Sequence, residues 1–479
     1  MCKIQCMTSM HPLLPGTPTR RQFLQLSSKA AAGTAIAAAV ARPGYAAEND
    51  TIQVALVGCG GRGTGAAANA LAVKNGPIKL VAMADVFEER LNRSYETLRN
   101  AATRTEGSAD SWVMGFSGDQ VDAPADRRFL GFDAYQKAMD CLKPGDVVIL
   151  TTPVAFRWVH FTYAIAKGLN VFMEKPISVD GPTTRRMIQL AEKAAAKNLK
   201  VGVGLMCRHC AARLELLDRI KSGQIGDLTL LRTYRLVAPA GAVGPRPSGI
   251  SELLFQVQRY LGFFWASGGI FHDFVAHNVD ECCWMKGSWP VRAEGQGGRL
   301  YRGDAVDQNF DHYSVEYTFA DGAKLFLNSR YEPGCHEEFA SYAHGTKGAA
   351  VISTFMHTPA KCRVFKTQNV TRRADMTWAF PQPEPNPYQL EWDHLIDAIR
   401  QDKPYNEVKR GAEASLVVLM GRKAVHTGQI ITFEDLLNGT EEFAPGLDQL
   451  TMDSPAPVLL AKDGRYPAPQ PGILRDREY

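Results

Sequence analysis

The sequence predicts an α/β chain in two parts: a doubly wound parallel sheet, then an α+β domain with a large, mostly antiparallel sheet. Three observations predict it. Apolar runs and helical patterns alternate across residues 50–176. The stretch Gly58-Cys59-Gly60-Gly61-Arg62-Gly63 joins the first apolar run to an alanine-rich segment, so a glycine turn links strand to helix. From about Gly226 the runs alternate apolar and polar residues, as strands with one face on a core do.

Residues 1–46 stand apart from this fold. They hold Thr19-Arg20-Arg21-Gln22-Phe23-Leu24, a mild Ala/Gly tract from Ala30 to Ala41, and a small-residue cleavage site at Gly44-Tyr45-Ala46. Paired arginines before a weakly apolar core resemble a twin-arginine export signal, which predicts an exported, periplasmic protein. The tract is too short and too alanine-rich for stable membrane insertion. This segment carries five basic residues and no acid, so the formal charge of +4 for the whole chain becomes −1 without it. A near-neutral chain with no basic stripe argues against nucleic acid as a partner.

The parallel part reads as strands Ile52–Val57, Lys79–Ala84, Asp146–Leu150 and Asn170–Met173, with helices Gly65–Lys74, Glu88–Thr103 and Trp158–Lys167 between them. The insert from Glu106 to Arg128, rich in Gly, Ser, Asp and Pro, reads as a surface loop. A helix over Thr183–Asn198 and a strand over Lys200–Gly204 follow. The second part offers strands Leu228–Val237, Val291–Leu300, His312–Phe319 and Ala323–Ser329, with Asp321-Gly322 as a hairpin turn. Late helices are expected at Glu391–Gln401 and Ala412–Thr427, and Pro455–Tyr479 reads as an extended arm. The expected organisation is therefore a leader at 1–46, a Rossmann domain at 50–176, an α+β substrate and oligomerisation domain at 177–445, and a Pro-rich arm at 446–479.

Gly58, Gly60 and Gly63 form Gly-x-Gly-x-x-Gly in strand–turn–helix context. The first glycine makes the turn, the second lets backbone approach a pyrophosphate, and the third lets helix and strand pack. With Gly61 and Arg62 they place a helix N-terminus against phosphates. Asp85 ends the second strand, 22 residues past Gly63. A carboxylate there accepts ribose hydroxyls and repels a 2′-phosphate, which favours NAD over NADP. No metal site is expected. Cys207-x-x-Cys210 has no second Cys-x-x-Cys or spaced His pair beside it, so buried thiols are favoured there, as they are at Cys282-Cys283.

Two further clusters carry chemistry. Asn170–Met173 runs into Glu174-Lys175-Pro176, which puts Lys175 at the carboxyl end of a parallel strand, where α/β sheets bind ligands. Asp273 and His277 stand four apart, so on a helix both point from one face. His277 is a candidate base, and Asp273 can orient it or hold a hydroxyl. His272 reads as a hydrogen-bonded polar residue rather than a base, and Trp265 and Trp284 as core.

The combination of the glycine turn, Glu174-Lys175-Pro176 and Asp273-x-x-x-His277 resembles the glucose–fructose oxidoreductase / inositol dehydrogenase (Gfo/Idh/MocA) family over most of residues 50–430. Thr151-Thr152-Pro153, Ser222-Gly223-Gln224-Ile225-Gly226 and Gly345-Thr346-Lys347-Gly348 add to the resemblance. The resemblance implies that Lys175, Asp273 and His277 flank a nicotinamide and a sugar-like substrate. It implies that Thr152, Pro153 and Glu174 contact the nicotinamide half, that His160 lines the same groove, and that Arg208 lies on the substrate side; Asn278 is a further substrate-side candidate. It also implies a homodimer or homotetramer. The expected activity is oxidation of a sugar, glycoside or polyol hydroxyl by a retained NAD. Two alternatives stay open: an NAD-dependent glycosidase working by transient ring oxidation, elimination and re-reduction, and a non-catalytic NAD- or sugar-binding protein.

Overall fold

The computed structural model describes residues 50–101 and 115–479. The leader at 1–46 and the first part of the polar insert lie outside the described residues. The first sheet has six parallel strands: β1 (Ile52–Val57), β2 (Ile78–Asp85), β3 (Arg128–Leu130), β4 (Val147–Leu150), β5 (Asn170–Met173) and β6 (Val201–Val203). Their spatial order is β3-β2-β1-β4-β5-β6, the doubly wound order whose direction reverses between β1 and β4. Both faces are covered, so β4, β5 and β6 are buried at every position.

Two features depart from the expected layout. β3 emerges from the end of the insert and pairs with the carboxyl end of β2, and Val121 bridges Leu80 just before it. The second half of that insert thus lies along the sheet, with Val121 and Arg128 pairing to β2. The sheet also runs past residue 176. The helix Gly181–Ala196 is the crossover that returns the chain to β6 beside β5, because parallel neighbours need a long connection. The helix Pro387–Arg400 comes back to this unit as well. Its Trp392 stacks on Phe172 with ring centroids 4.4 Å apart, and Leu395, Ile396 and Ile399 join the cluster holding Ile52 and Leu56.

The second sheet has nine strands: β7 (Leu228–Val237), β8 (Arg292–Gly298), β9 (His312–Thr318), β10 (Lys324–Tyr331), β11 (Glu338–Gly345), β12 (Gly348–Thr354), β13 (Arg363–Phe365), β14 (Met376–Ala379) and β15 (Ile431–Thr432). Their order is β14-β13-β12-β11-β7-β10-β9-β8-β15. All neighbours are antiparallel except β7 and β10, because four helical segments separate β7 from the β8–β10 meander. Gly322 takes a positive φ of 86° in the β9–β10 hairpin, as the Asp-Gly signal predicts. The segments 222–226 and 345–348 meet in space: Lys347 N donates to Ile225 O at 2.8 Å and Thr346 N to Asp227 O at 3.0 Å.

Helices Gly269–Lys286 and Val408–Thr427 lie on one face of this sheet. Phe271, Val275, Val279 and Cys282 of the first join Leu416, Met420 and Val425 region residues in one apolar core. That stripe at spacing three to four uses one side of the helix. Asp273 and His277, two positions off it, face away from the core.

The arm at 446–479 has no strand, but it is anchored. Glu478 is buried and receives Arg422 Nη2 at 2.8 Å and Arg422 Nε at 2.9 Å, with His426 Nδ1 at 2.6 Å. Tyr466 packs edge-on against Phe263 at 4.7 Å. No helix of the described residues is long and apolar enough to cross a membrane.

Candidate active site

The carboxyl ends of β1, β2, β4 and β5 open onto one cavity of about 350 Å³. Its walls include Gly58, Gly60, Gly61, Arg62, Gly63, Asp85, Thr152, Pro153, His160, Glu174, Lys175, Asp273 and His277. Residues spread over more than two hundred positions therefore converge because both sheets present their loops to the same crevice.

The glycine turn explains itself sterically. Gly58 has φ of 97°, and a Cβ there would lie 2.6 Å from Thr152 N. A Cβ on Gly63 would lie 2.0 Å from Gly58 O. Gly60 and Gly61 differ: a Cβ on either meets nothing within 4 Å, so open space lies beside the backbone. The helix Gly61–Ala72 has no side-chain cap and no acid in its first turn. Its first N–H groups are left for an anion, and the cradle fits a dinucleotide pyrophosphate.

Asp85 accepts Cys59 N at 2.6 Å on one oxygen and Phe87 N at 2.9 Å on the other. Burial raises its pKa from the ordinary carboxylate value. Each oxygen keeps a second acceptor direction. Arg90, which the sequence reading did not single out, lines the same end and donates to Gln258 O at 3.1 Å.

Arg62 grips Glu174 through Nε at 3.1 Å and Nη2 at 2.7 Å and lies over the Tyr388 ring. Lys175 Nζ donates to Asp273 O at 2.7 Å and sits 3.7 Å from Asp273 Oδ1. An ammonium has three donors and only the 2.7 Å contact is a hydrogen bond, so donors remain for a substrate oxygen. His277 is buried, and its Nδ1 has no hydrogen-bond partner. Burial first, then Lys175, holds its pKa well below the ordinary histidine value. His160 Nδ1 lies 3.3 Å from Thr152 Oγ1, and burial with Arg157 lowers its pKa to about 3.

Three further wall residues, Arg157, His357 and Arg235, lie outside the sequence motifs. Arg157 donates to Leu150 O at 2.8 Å and Thr152 O at 3.1 Å, which fixes the Thr151-Thr152-Pro153 loop. His357 stands edge-on to His277 with centroids 4.5 Å apart. Its carbonyl is held by Arg213 at 2.9 Å, and Arg213 is itself paired with buried Glu281 at 2.7 Å. Arg235 of β7 packs its guanidinium on Phe339, 3.8 Å from the ring centre. The alternating pattern of β7 could have shown which of its residues face this way; nothing in the sequence marks His357, which sits in the β12–β13 loop.

Arg208 and Asn278 do not line the cavity. Arg208 makes a bidentate pair with buried Asp280 at 2.9 and 2.7 Å and lies over Trp284. Asn278 is buried and donates to Thr233 Oγ1 at 2.9 Å. Helix geometry decides this for Asn278, which sits about 100° round the helix from His277 and turns toward β7; Asp280 shares the face of Asp273 but lies two turns further along, where Arg208 holds it. His272 is buried with Nε2 2.9 Å from Ser178 O, and Trp265 donates to Gln256 Oε1 at 2.7 Å in the interior. Cys207, Cys210, Cys282 and Cys283 are buried free thiols.

Fold and cavity together define a class: a two-domain chain with a dinucleotide cradle facing a mixed-sheet domain. No family model matches the chain. It is 24% identical over 229 residues to the rhizopine catabolism protein MocA of Rhizobium meliloti, spanning 47% of this chain and 65% of that protein. It is 24% identical over 254 residues to an inositol 2-dehydrogenase of Rhizobium meliloti (strain 1021), spanning 52% and 70%. Aldose-aldose oxidoreductase from Caulobacter crescentus shares the fold with a TM-score of 0.58 at 17% identity, over 80% of this chain and all of that one. These comparisons support the Gfo/Idh/MocA resemblance at low identity, and the structural likeness bears on fold.

Proposed function

We propose that the chain is a NAD(P)-dependent oxidoreductase of the Gfo/Idh/MocA type that moves hydride between a sugar or polyol CH–OH carbon and a tightly held nicotinamide cofactor. The observation that carries this reading is the convergence of the glycine cradle with Lys175, Asp273 and His277 on one cavity. The backbone at Gly58–Gly63 would hold the pyrophosphate, Asp85 the adenosine ribose, and Thr152, Pro153, His160 and Glu174 the nicotinamide half. Asp85 supports NAD over NADP. When bound, the nicotinamide supplies the hydride acceptor.

The chain's own residues do the rest. The spare donor of Lys175 points its charge at a substrate hydroxyl and stabilises the alkoxide as it forms. His277 is neutral across the physiological range, so its ring can accept the hydroxyl proton. The Asp273 carboxylate balances Lys175 and can hold a neighbouring hydroxyl. The apolar rings of Phe274, Phe132 and Phe156 on the walls exclude water.

We also infer export by the twin-arginine route to the periplasm, from Arg20-Arg21 and the tract after it. Free dinucleotide is scarce there, so retention of the cofactor between turnovers is part of the reading. A homodimer or homotetramer on the outer face of the nine-stranded sheet fits Phe326 of β10, which is 40% exposed there.

The test is to denature purified protein, identify the released nucleotide, and screen intact protein with polyols, aldoses and aryl glycosides. Reduction of bound nicotinamide by a polyol or aldose supports the reading. Aglycone release with no net reduction would replace it with the glycosidase cycle.

A further inference from the structure

Among the described residues, five Lys and Arg side chains line the cavity. Arg62 is paired with Glu174, Lys175 with Asp273, Arg157 with two carbonyls, and Arg90 with the Gln258 carbonyl. Among the described residues the Arg235 guanidinium has no hydrogen bond and no ion pair, and its Nε and Nη1 are shielded from solvent without partners. Its plane is fixed instead by aromatic rings, Phe339 at 3.8 Å and Phe274 at 5.1 Å from their centres. Burial lowers its pKa from the ordinary arginine value. The ionisable groups that face it are Tyr331, Asp273 (already beside Lys175) and Tyr388, with His277 and His357 on the same wall.

A pre-oriented guanidinium with unsatisfied donors is costly in the free protein and is repaid by an anionic ligand. The cofactor phosphates do not supply that anion, because their cradle is on the six-stranded sheet and Arg235 is on β7 of the other. Arg235 shares its wall with Phe274, Asp273 and His277, the substrate side of the reading above.

Resting on that reading, we propose that the substrate is an anionic sugar, a uronate or aldonate, whose carboxylate is held by Arg235 while a carbinol carbon faces Lys175 and His277. A planar carboxylate matches the guanidinium fork, and a sugar phosphate shares the charge. In the reaction one C–H and one O–H bond break and a C=O bond forms. Hydride goes to the oxidised nicotinamide, the proton to His277, and the carboxylate is unchanged. Placing the anion beside Arg235 removes one of the cations that disfavour a protonated His277, so binding the right substrate strengthens the base.

Isothermal titration of cofactor-containing protein with D-glucuronate, D-gluconate, D-glucose 6-phosphate and D-glucose tests this without relying on turnover. A carboxylate sugar is expected to bind about 30-fold more tightly than glucose, about 2 kcal/mol at 1.4 kcal/mol per tenfold. Arg235→Gln should bring that ratio near one, and Arg235→Lys should recover part of it, with nucleotide content showing that each variant is folded. The same preference for glucose 6-phosphate alone makes phosphate the anion. Equal binding of acid and neutral sugars by the unmodified protein overturns the proposal. So does no binding by any probe, or an acid preference that survives in Arg235→Gln. Failure of every sugar to reduce the bound nicotinamide would instead sink the oxidoreductase reading, and the heats would still report on Arg235.

Discussion

Replacing Lys175 by Ala separates chemistry from cofactor binding. The ammonium is held by Asp273 O at 2.7 Å and its side chain is 16% exposed, so its position and charge are well defined. A unit charge about 3 Å from a developing alkoxide is worth roughly 5 kcal/mol at an effective dielectric of about 20. Part of that is already present with the bound hydroxyl. Removal of one preorganised donor in comparable sites costs about 3 kcal/mol, or on the order of a hundredfold. The pyrophosphate cradle is backbone from Gly58 to Gly63, so nucleotide content should stay within about threefold by the same accounting. A second effect follows from electrostatics. Lys175 is the largest cause after burial that depresses His277, so its loss should move the acid limb of kcat/KM to higher pH. The assay is single-turnover reduction of bound nicotinamide as a function of pH, with released nucleotide quantified after denaturation. Turnover within about threefold of the parent protein, with full nucleotide content, would refute the role given to Lys175.

Asp85→Ser should shift preference toward the 2′-phosphorylated dinucleotide by about tenfold or more, roughly 1.4 kcal/mol; titrating both nucleotides into protein freed of its resident cofactor measures this, and an unchanged ratio contradicts the ribose role. Stability should fall on the acid side. His160 and His272 are both held neutral by burial with pKa values of about 3, below the unfolded value of about 6.5. Between those limits the unfolded chain binds the protons, so the stabilisation is complete above about pH 6.5 and is lost as pH falls toward about 3. His272→Gln should flatten the slope by about 1 kcal/mol per pH unit in urea denaturation at about pH 5 to 6. Glu478→Gln should cost about 3 kcal/mol, since it leaves buried Arg422 without its charge partner; burial alone would raise the Glu478 pKa, and Arg422 and His426 outweigh it and lower it. A denaturation midpoint unchanged from the parent protein would show the arm to be loosely attached.

Much of the architecture is legible in the residues because it rests on periodicity and turn chemistry. β7 runs over Leu228–Val237 as its alternation predicts, and Asp321-Gly322 makes the expected hairpin. β3 is not legible, because three residues at the end of a polar insert carry no pattern. The helix at Pro387–Arg400 starts four residues earlier than expected, where Asn386 caps it and Pro387 opens it, a start signal that periodicity alone overlooks. In the site, motif residues at strand ends and on one helix face fall together because backbone geometry puts them there. Arg208 and Asn278 do not, since their placement depends on Asp280 and Thr233, partners remote in sequence. Arg235 and His357 went unseen for the same reason: their meaning lies in what surrounds them, Phe339 and His277, and not in local spacing.

The central claim is that a substrate carbinol and a dinucleotide held at Gly58–Gly63 exchange hydride across this cavity. Its most direct test is a single turnover of cofactor-containing protein with a sugar or polyol deuterated at its carbinol carbons, followed by release of the nucleotide and mass spectrometry. The account predicts one deuterium on the nicotinamide ring, appearing on the order of a hundredfold more slowly in Lys175→Ala. Nucleotide released without label after incubation with substrates that bind would contradict it.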